Sequence, residues 1–136
     1  MNDMFGDPVP THEEESYCRK VTDSILNSVR SAKRRQNEKG NPVSVNLTRQ
    51  QVVALLEHQE YRCALTRQRF WVDASDRFGP SMPSLDRVKH DGPYAIENVR
   101  VVLIGVNSLR GRGSDEDMYR NARALIANEP ANETRD

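Results

Sequence analysis

"PSLDRVKHDGPYAIENVRVVLIGVNSLRG", Pro83 to Gly111, is the stretch whose reading decides the fold. Ser84 to Val88 reads as a short strand that carries the pair Asp86-Arg87. "KHDGPY" (89–94) reads as its turn, and Asn98 to Val102 as a second strand. Around Leu103 the apolar period changes, which predicts a helix carrying Asn107, and "RGRG" (110–113) breaks that helix. Strand, turn, strand and helix follow one another without a spare segment. Such a unit can place a carboxylate from its first strand near an amide from its helix.

That pairing has a chemical meaning. Magnesium prefers oxygen ligands and retains several waters, so one carboxylate and one carbonyl oxygen can suffice to hold it. A metal held there can polarise a phosphate and stabilise a leaving oxygen. Asp86 is the natural carboxylate and Asn107 the second oxygen. The plainer reading makes Asp86 a salt-bridge partner and Asn107 a cap or surface residue.

Outward from this stretch the chain is helical. From about Glu13 to Lys39, Val21, Ile25 and Val29 recur every four residues, with Leu26 and Ala32 beside them. This predicts an N-terminal helix over 13–40. Arg30, Lys33, Arg34 and Arg35 crowd its last turns, where positive charge suits the helix dipole. Gly40 and Pro42 are its stop signals. Thr48 followed by Gln51 is a capping-box pattern that opens a second helix, with Val52, Val53, Leu55 and Leu56 as its apolar face. "YRCALTRQRFW" (61–71) reads as a short strand or turn closing on an aromatic pair, and "VDASDRFGPSMP" (72–83) as a loop. Ser114 caps a last helix with Asp115, Glu116 and Asp117 in its first turn. Met118, Ala122, Leu125 and Ile126 are its expected buried side. Residues 1–12 are expected to be disordered and the tail from Asn128 frayed. There is no internal repeat.

The composition narrows the function classes. With 136 residues, 36% of them hydrophobic, the chain suits one domain with a modest core. No run approaches the roughly 18 apolar residues of a membrane span. The acidic N-terminus lacks a basic-then-apolar signal pattern, so a cytoplasmic protein is expected. Cys18 and Cys63 have no zinc spacing, and with His12, His58 and His90 they make a closed zinc site improbable. Reduced cysteines are expected, with Cys63 a small buried residue.

The formal net charge is zero, but it is unevenly spread. Residues 1–16 carry five acidic side chains and no Lys or Arg, while residues 17–40 carry seven basic and two acidic ones. Residues 61–112 carry nine basic against five acidic, and residues 113–136 three against six. A basic middle between acidic ends can track a phosphate backbone despite the neutral total. "SAKRRQNEK" (31–39) also suits a plain solvated helix face.

In order, the chain shows "SAKRRQ", "NLTRQQVVALLEHQEYRCALTRQRF", "PSLDRV", "GPY", "ENVRVV" and "VNSLRG". Over about Lys33 to Leu125 this resembles the HNH endonucleases, the ββα-metal group, in a form common in bacteriophages and mobile elements. The resemblance implies an α+β fold: a small ββα-metal unit within 41–127, flanked by N-terminal and C-terminal helices. It implies a metal-dependent hydrolase of DNA phosphodiester bonds, double-stranded DNA as partner, and Mg²⁺ or Mn²⁺ as cofactor, in the cytoplasm of a bacterial or phage-infected cell. Asp86 and Asn107 would hold the metal. Arg87 stands where better-known members have the histidine base, and Asn98 matches the central Asn that ties the loop to the strand. Arg100 and Arg110 would face phosphate, and Arg62 with the Arg30, Lys33, Arg34 and Arg35 cluster would extend the DNA track.

The chain departs from that pattern at four places. Thr66-Arg67 stands for Thr-Gly, Lys89 for an expected Asp, and Gly92-Pro93-Tyr94 for Lys-Gly-Tyr, while Cys63 lacks the zinc-binding partners of many members. Guanidinium cannot accept a proton at neutral pH, so Arg87 can grip phosphate but cannot be the base. His90 is the chemical candidate, since imidazole titrates near neutrality. On a continuing strand it would stand roughly 13 Å from Asp86. A plain turn residue is the other reading of His90, and a metal-bound hydroxide would need no side-chain base. His58, near a helix end, suits the dipole. Phe70, Trp71 and Phe78 suit the core, with stacking on bases as the alternative. The rival function is a catalytically inactive HNH-derived DNA-binding or protein-binding protein. RNA in place of DNA as substrate is a third reading, because phosphate contacts do not specify the sugar.

Overall fold

A computed structural model describes residues 11–38, 45–70 and 79–131, with the side chains of 33–38 outside the description. The described residues form a mixed α+β arrangement of four α-helices and two small two-stranded sheets. Helix α1 spans His12–Glu38. It starts where Thr11 Oγ1 accepts the Glu14 N–H at 3.1 Å. Glu13, Glu14 and Glu15 fill its first turn, where negative charge opposes the dipole. The helix thus begins one residue before the expected start. The rest of the expected N-terminal disorder and the Gly40–Pro42 stop lie outside the described residues.

The buried stripe of α1 is Cys18, Thr22 and Leu26. The expected stripe of Val21, Ile25 and Val29 is only half-buried, so the helix is turned by about one residue. Thr22 can lie inward because its hydroxyl donates to Cys18 O at 2.8 Å.

Helix α2, Arg49–His58, has both bonds of the Thr48/Gln51 capping box. It buries Val52 and Leu56. The chain then turns through Glu60 and Tyr61, both left-handed, into a finger closed by the bridge between Arg62 and Arg69.

Strand β2, Pro83–Arg87, pairs antiparallel with β4, Val99–Leu103, with Asp86 opposite Arg100. Helix α3, Ile104–Arg110, leaves β4 directly and ends at Gly111, whose φ of 56° suits a residue without Cβ. The first strand begins and ends one residue earlier than expected, and the second one residue later. A small parallel pair joins β1, Val45–Asn46, to β3, Tyr94–Ala95. This pair was not expected, since two residues carry no periodicity.

A two-stranded ribbon exposes ladder groups on both edges unless something covers them. On β4 the cover comes from Gln59, at the end of α2. Its Nε2 donates to Val101 O at 2.8 Å, and its Oε1 accepts from Val101 N at 3.1 Å. Ala64 N also donates to Val101 O, and Leu103 N donates to Cys63 Sγ at 3.4 Å. Cys63 is fully buried, and its Sγ also accepts the Thr66 N–H at 3.4 Å. The core of Leu26, Leu47, Leu56, Val101 and Val102 lies between these elements.

Helix α4, Asp115–Ala127, has the Ser114 cap and a capping box completed by Asp117. Its expected buried side is corrected: Met118 is buried, but Leu125 and Ile126 are 64% and 72% exposed. At 1.5 Å per residue α4 outruns the seven-residue α3 it packs against, so its last turns meet no partner there. Residues Asn128 to Ala131 are exposed. No described helix is long and apolar enough to cross a membrane.

Candidate functional site

Two polar systems flank the turn between β2 and β3. The first is neutral. Asn98, only 8% exposed, accepts the Lys89 N–H at 3.0 Å and donates to Lys89 O at 3.2 Å and Pro93 O at 2.9 Å. Its amide therefore closes both ends of the 89–93 loop. A Cβ on Gly92 would lie 2.6 Å from Asn98 Nδ2, so glycine lets the amide reach across the turn. Arg87 lies over the Tyr94 ring at 4.6 Å from its centroid and donates to Gly92 O at 3.1 Å. His90 is exposed in this turn, and no described hydrogen bond joins it to Asp86.

The second system is charged and lies under the hairpin. Asp86 is 5% exposed. Its Oδ2 accepts from Arg100 Nε at 2.8 Å and its Oδ1 from Arg110 NH1 at 2.5 Å. Arg110 also donates to Arg87 O at 2.6 Å and Val88 O at 2.5 Å, which fixes the end of α3 on the corner of the hairpin. Arg100 grips Asp115 bidentately, NH1 to Oδ2 at 3.0 Å and NH2 to Oδ1 at 2.6 Å. Two guanidinium groups and two carboxylates thus form a closed quartet. Burial works against the Arg100 charge, but the bonds from Asp115 and Asp86 outweigh it and raise its pKa. The Arg100 bonds hold the Asp115 carboxyl below the usual aspartate value, against the opposing effect of burial.

Asn107 belongs to neither system. Its Nδ2 donates to Ser84 Oγ at 2.9 Å, two residues along β2 from Asp86. Alternate strand residues share a face, so Asn107 and Arg110 address the same side of β2 at successive steps. Arg110, rather than Asn107, meets Asp86. Both Asp86 oxygens are engaged by cations, and two guanidinium groups beside one carboxylate repel a divalent ion. The residues in this arrangement do not fit a magnesium or manganese site centred on Asp86 and Asn107. Among the described residues no group of three or more His, Cys, Asp or Glu side chains is placed to hold a metal.

The expected phosphate-facing arginines divide. Arg110 and Arg62 are 6% and 3% exposed, so neither lines an outer surface. Arg62 donates to Arg67 O at 2.7 Å, and burial lowers its pKa. Arg100 and Arg110 face carboxylates instead of solvent because burying a guanidinium requires a compensating charge. Arg30 donates to Leu47 O at 2.7 Å and ties α1 to the start of α2. The side chains of Lys33, Arg34 and Arg35, and residues Trp71 and Phe78, lie outside the described residues. Phe70 is 5% exposed in the core. In the turn itself Lys89 is exposed and Arg87 half-exposed.

Gln59 and Asp115 are the residues that sequence reasoning missed. No local pattern marks Gln59, because its partner Val101 is 42 positions away. Asp115 carried a signal as a first-turn acid, but its pairing with Arg100 requires the fold. Protein-family models, curated proteins and solved structures were compared with the chain, and none matches.

Proposed function

We propose that this chain is an HNH-type ββα protein that binds the phosphodiester backbone of DNA, with the metal-carrying position filled by its own guanidinium groups. The observation that carries the reading is the Arg100–Asp86–Arg110 clamp at the place where the resemblance puts a metal. The β2–β4–α3 succession and the Asn98 tie across the loop support the ββα assignment. Arg87 and Lys89 put outward positive charge at the hairpin end, with the exposed Asp91 and Glu97 opposing it. Backbone contacts of this kind need no base readout and leave sequence preference weak.

The second reading is a metal-dependent DNA endonuclease, with Mg²⁺ or Mn²⁺ on Asp86 and Asn107. What favours it is that both residues address one side of β2. It requires both arginines to leave Asp86 first.

Fluorescence anisotropy on a short DNA duplex, in EDTA and in Mg²⁺, combined with a plasmid assay in Mg²⁺ or Mn²⁺, separates the two. The proposal expects equal binding with and without metal, weakening as salt rises, and no cleavage. Metal-dependent cleavage that Asp86→Ala abolishes would establish the endonuclease. No duplex binding even at low salt would overturn both.

A further inference from the structure

The quartet is uneven. Asp86 is enclosed, while the Asp115 side chain is 36% exposed and forms its outer member. Arg100 offers Asp115 its two terminal nitrogens side by side, the fork geometry that also fits two oxygens of a phosphate. Arg110, with its side chain only 3% exposed, keeps Nε buried without a hydrogen-bond partner, 3.3 Å from Asp115 Oδ1. An unmet buried donor beside an occupied fork marks a site with more donors than its present occupant uses.

Resting on the DNA-backbone reading above, we infer that Arg100 and Arg110 form an anion site for a phosphodiester monoanion, which Asp115 occupies in cis. The charge balance selects the ligand class. A monoanionic diester replaces Asp115 charge for charge against two arginines and Asp86, whereas a dianion would leave an excess negative charge. A diester oxygen can also reach Arg110 Nε, which the carboxylate meets only as an ion pair. The position suits displacement: Asp115 is the first residue of α4, so it can swing outward while Ser114 and Asp117 keep the helix capped. The two arginines expected to face phosphate would then do so only after Asp115 has left.

The test titrates the full chain with diethyl phosphate and follows the arginine Nε–H resonances by NMR, beside duplex binding by anisotropy. Asp115→Asn is expected to bind diethyl phosphate about tenfold more tightly than the wild type, with the Arg100 and Arg110 signals moving. Glu116→Gln, which removes one charge from the same helical turn, is expected to change nothing. Equal tightening in both variants, or binding that leaves those signals still, overturns the inference. Asp115→Ser replaces Asp115→Asn if the latter does not fold. The wild type gives a readout that needs no variant: at high diester the Asp115 carboxyl and Arg100 signals should move together, and their immobility also overturns it. Diester reaching the arginines without any duplex binding would keep this site and remove the DNA reading. Duplex binding equal in wild type and Asp115→Asn, with the arginine signals unmoved, would keep the DNA reading and remove this site.

Discussion

The strand β4 is supported in two different ways. On its free edge the supports are neutral: the Gln59 amide, the Ala64 N–H and Cys63 Sγ, all aimed at backbone groups. From Arg100 the support is ionic and shared with β2, α3 and α4. The neutral side replaces a missing strand, and each of its bonds has a fixed partner. The ionic side joins four elements through groups that accept other partners. A neutral amide network specifies a single packing, while a charged one also responds to pH, salt and competing anions.

Deleting one member from each side measures the difference. Arg110→Met removes one of the two cations on Asp86 and leaves the carbonyls of Arg87 and Val88 without their Arg110 donors, and should cost about 3–5 kcal/mol, as for breaking a buried ion pair. Gln59→Leu keeps a similar volume but strands buried groups of Arg62 and Val101, and should cost about 2–3 kcal/mol. Urea unfolding followed by circular dichroism reads both. Equal costs, or a larger one for Gln59→Leu, would remove the ranking of the ionic side above the neutral one.

Acid should act on one side only. Because the Asp115 carboxyl is held below the usual aspartate value, its contribution is present above about pH 4 and is lost as the pH falls through the lowered native value. The groups facing it are Arg100 and Arg110, and Asp86 lies across them. The stability of Asp115→Asn should therefore depend less on pH than that of the wild type in the acid range. Gln59→Leu should fall in parallel with the wild type. Parallel acid limbs for all three proteins would show that Asp115 does not supply the difference.

Local rules made part of this fold legible. The Thr48 and Ser114 caps and the change of period at Leu103 depend on residues within one turn of each other, and all are present. The strands around Asp86 and Arg100 were legible to within one residue because apolar alternation is a local pattern. What escaped depends on long-range partners. The sign of Arg100 and Arg110 is plain in the sequence. Whether they face phosphate or Asp86 is decided by the register that sets residue 86 opposite residue 100. Leu125 and Ile126 carry a proper apolar stripe, but the length of α3 determines where its cover stops. For the same reason the sequence does not show that Arg110, about one helical turn beyond Asn107, reaches the Asp86 carboxylate while Asn107 meets Ser84.

The smallest effect tests how much strain the neutral side tolerates. Arg67 has a φ of 64°, in the left-handed region, at the position where the resembled pattern has glycine. The turn is retained: Arg67 N donates to Cys63 O at 2.9 Å, and Arg62 NH1 donates to Arg67 O. A residue with a Cβ pays roughly 1–2 kcal/mol in this conformation, while glycine carries extra unfolded-state entropy of roughly 0.5–1 kcal/mol. Both turn bonds use the backbone of residue 67, so they survive its replacement. Arg67→Gly should then raise stability by about 0.5 kcal/mol, read as a higher urea midpoint at unchanged slope. A loss instead would mean that the Arg67 side chain itself stabilises the finger, and that the Cys63–Thr66–Arg67 turn depends on more than its backbone bonds.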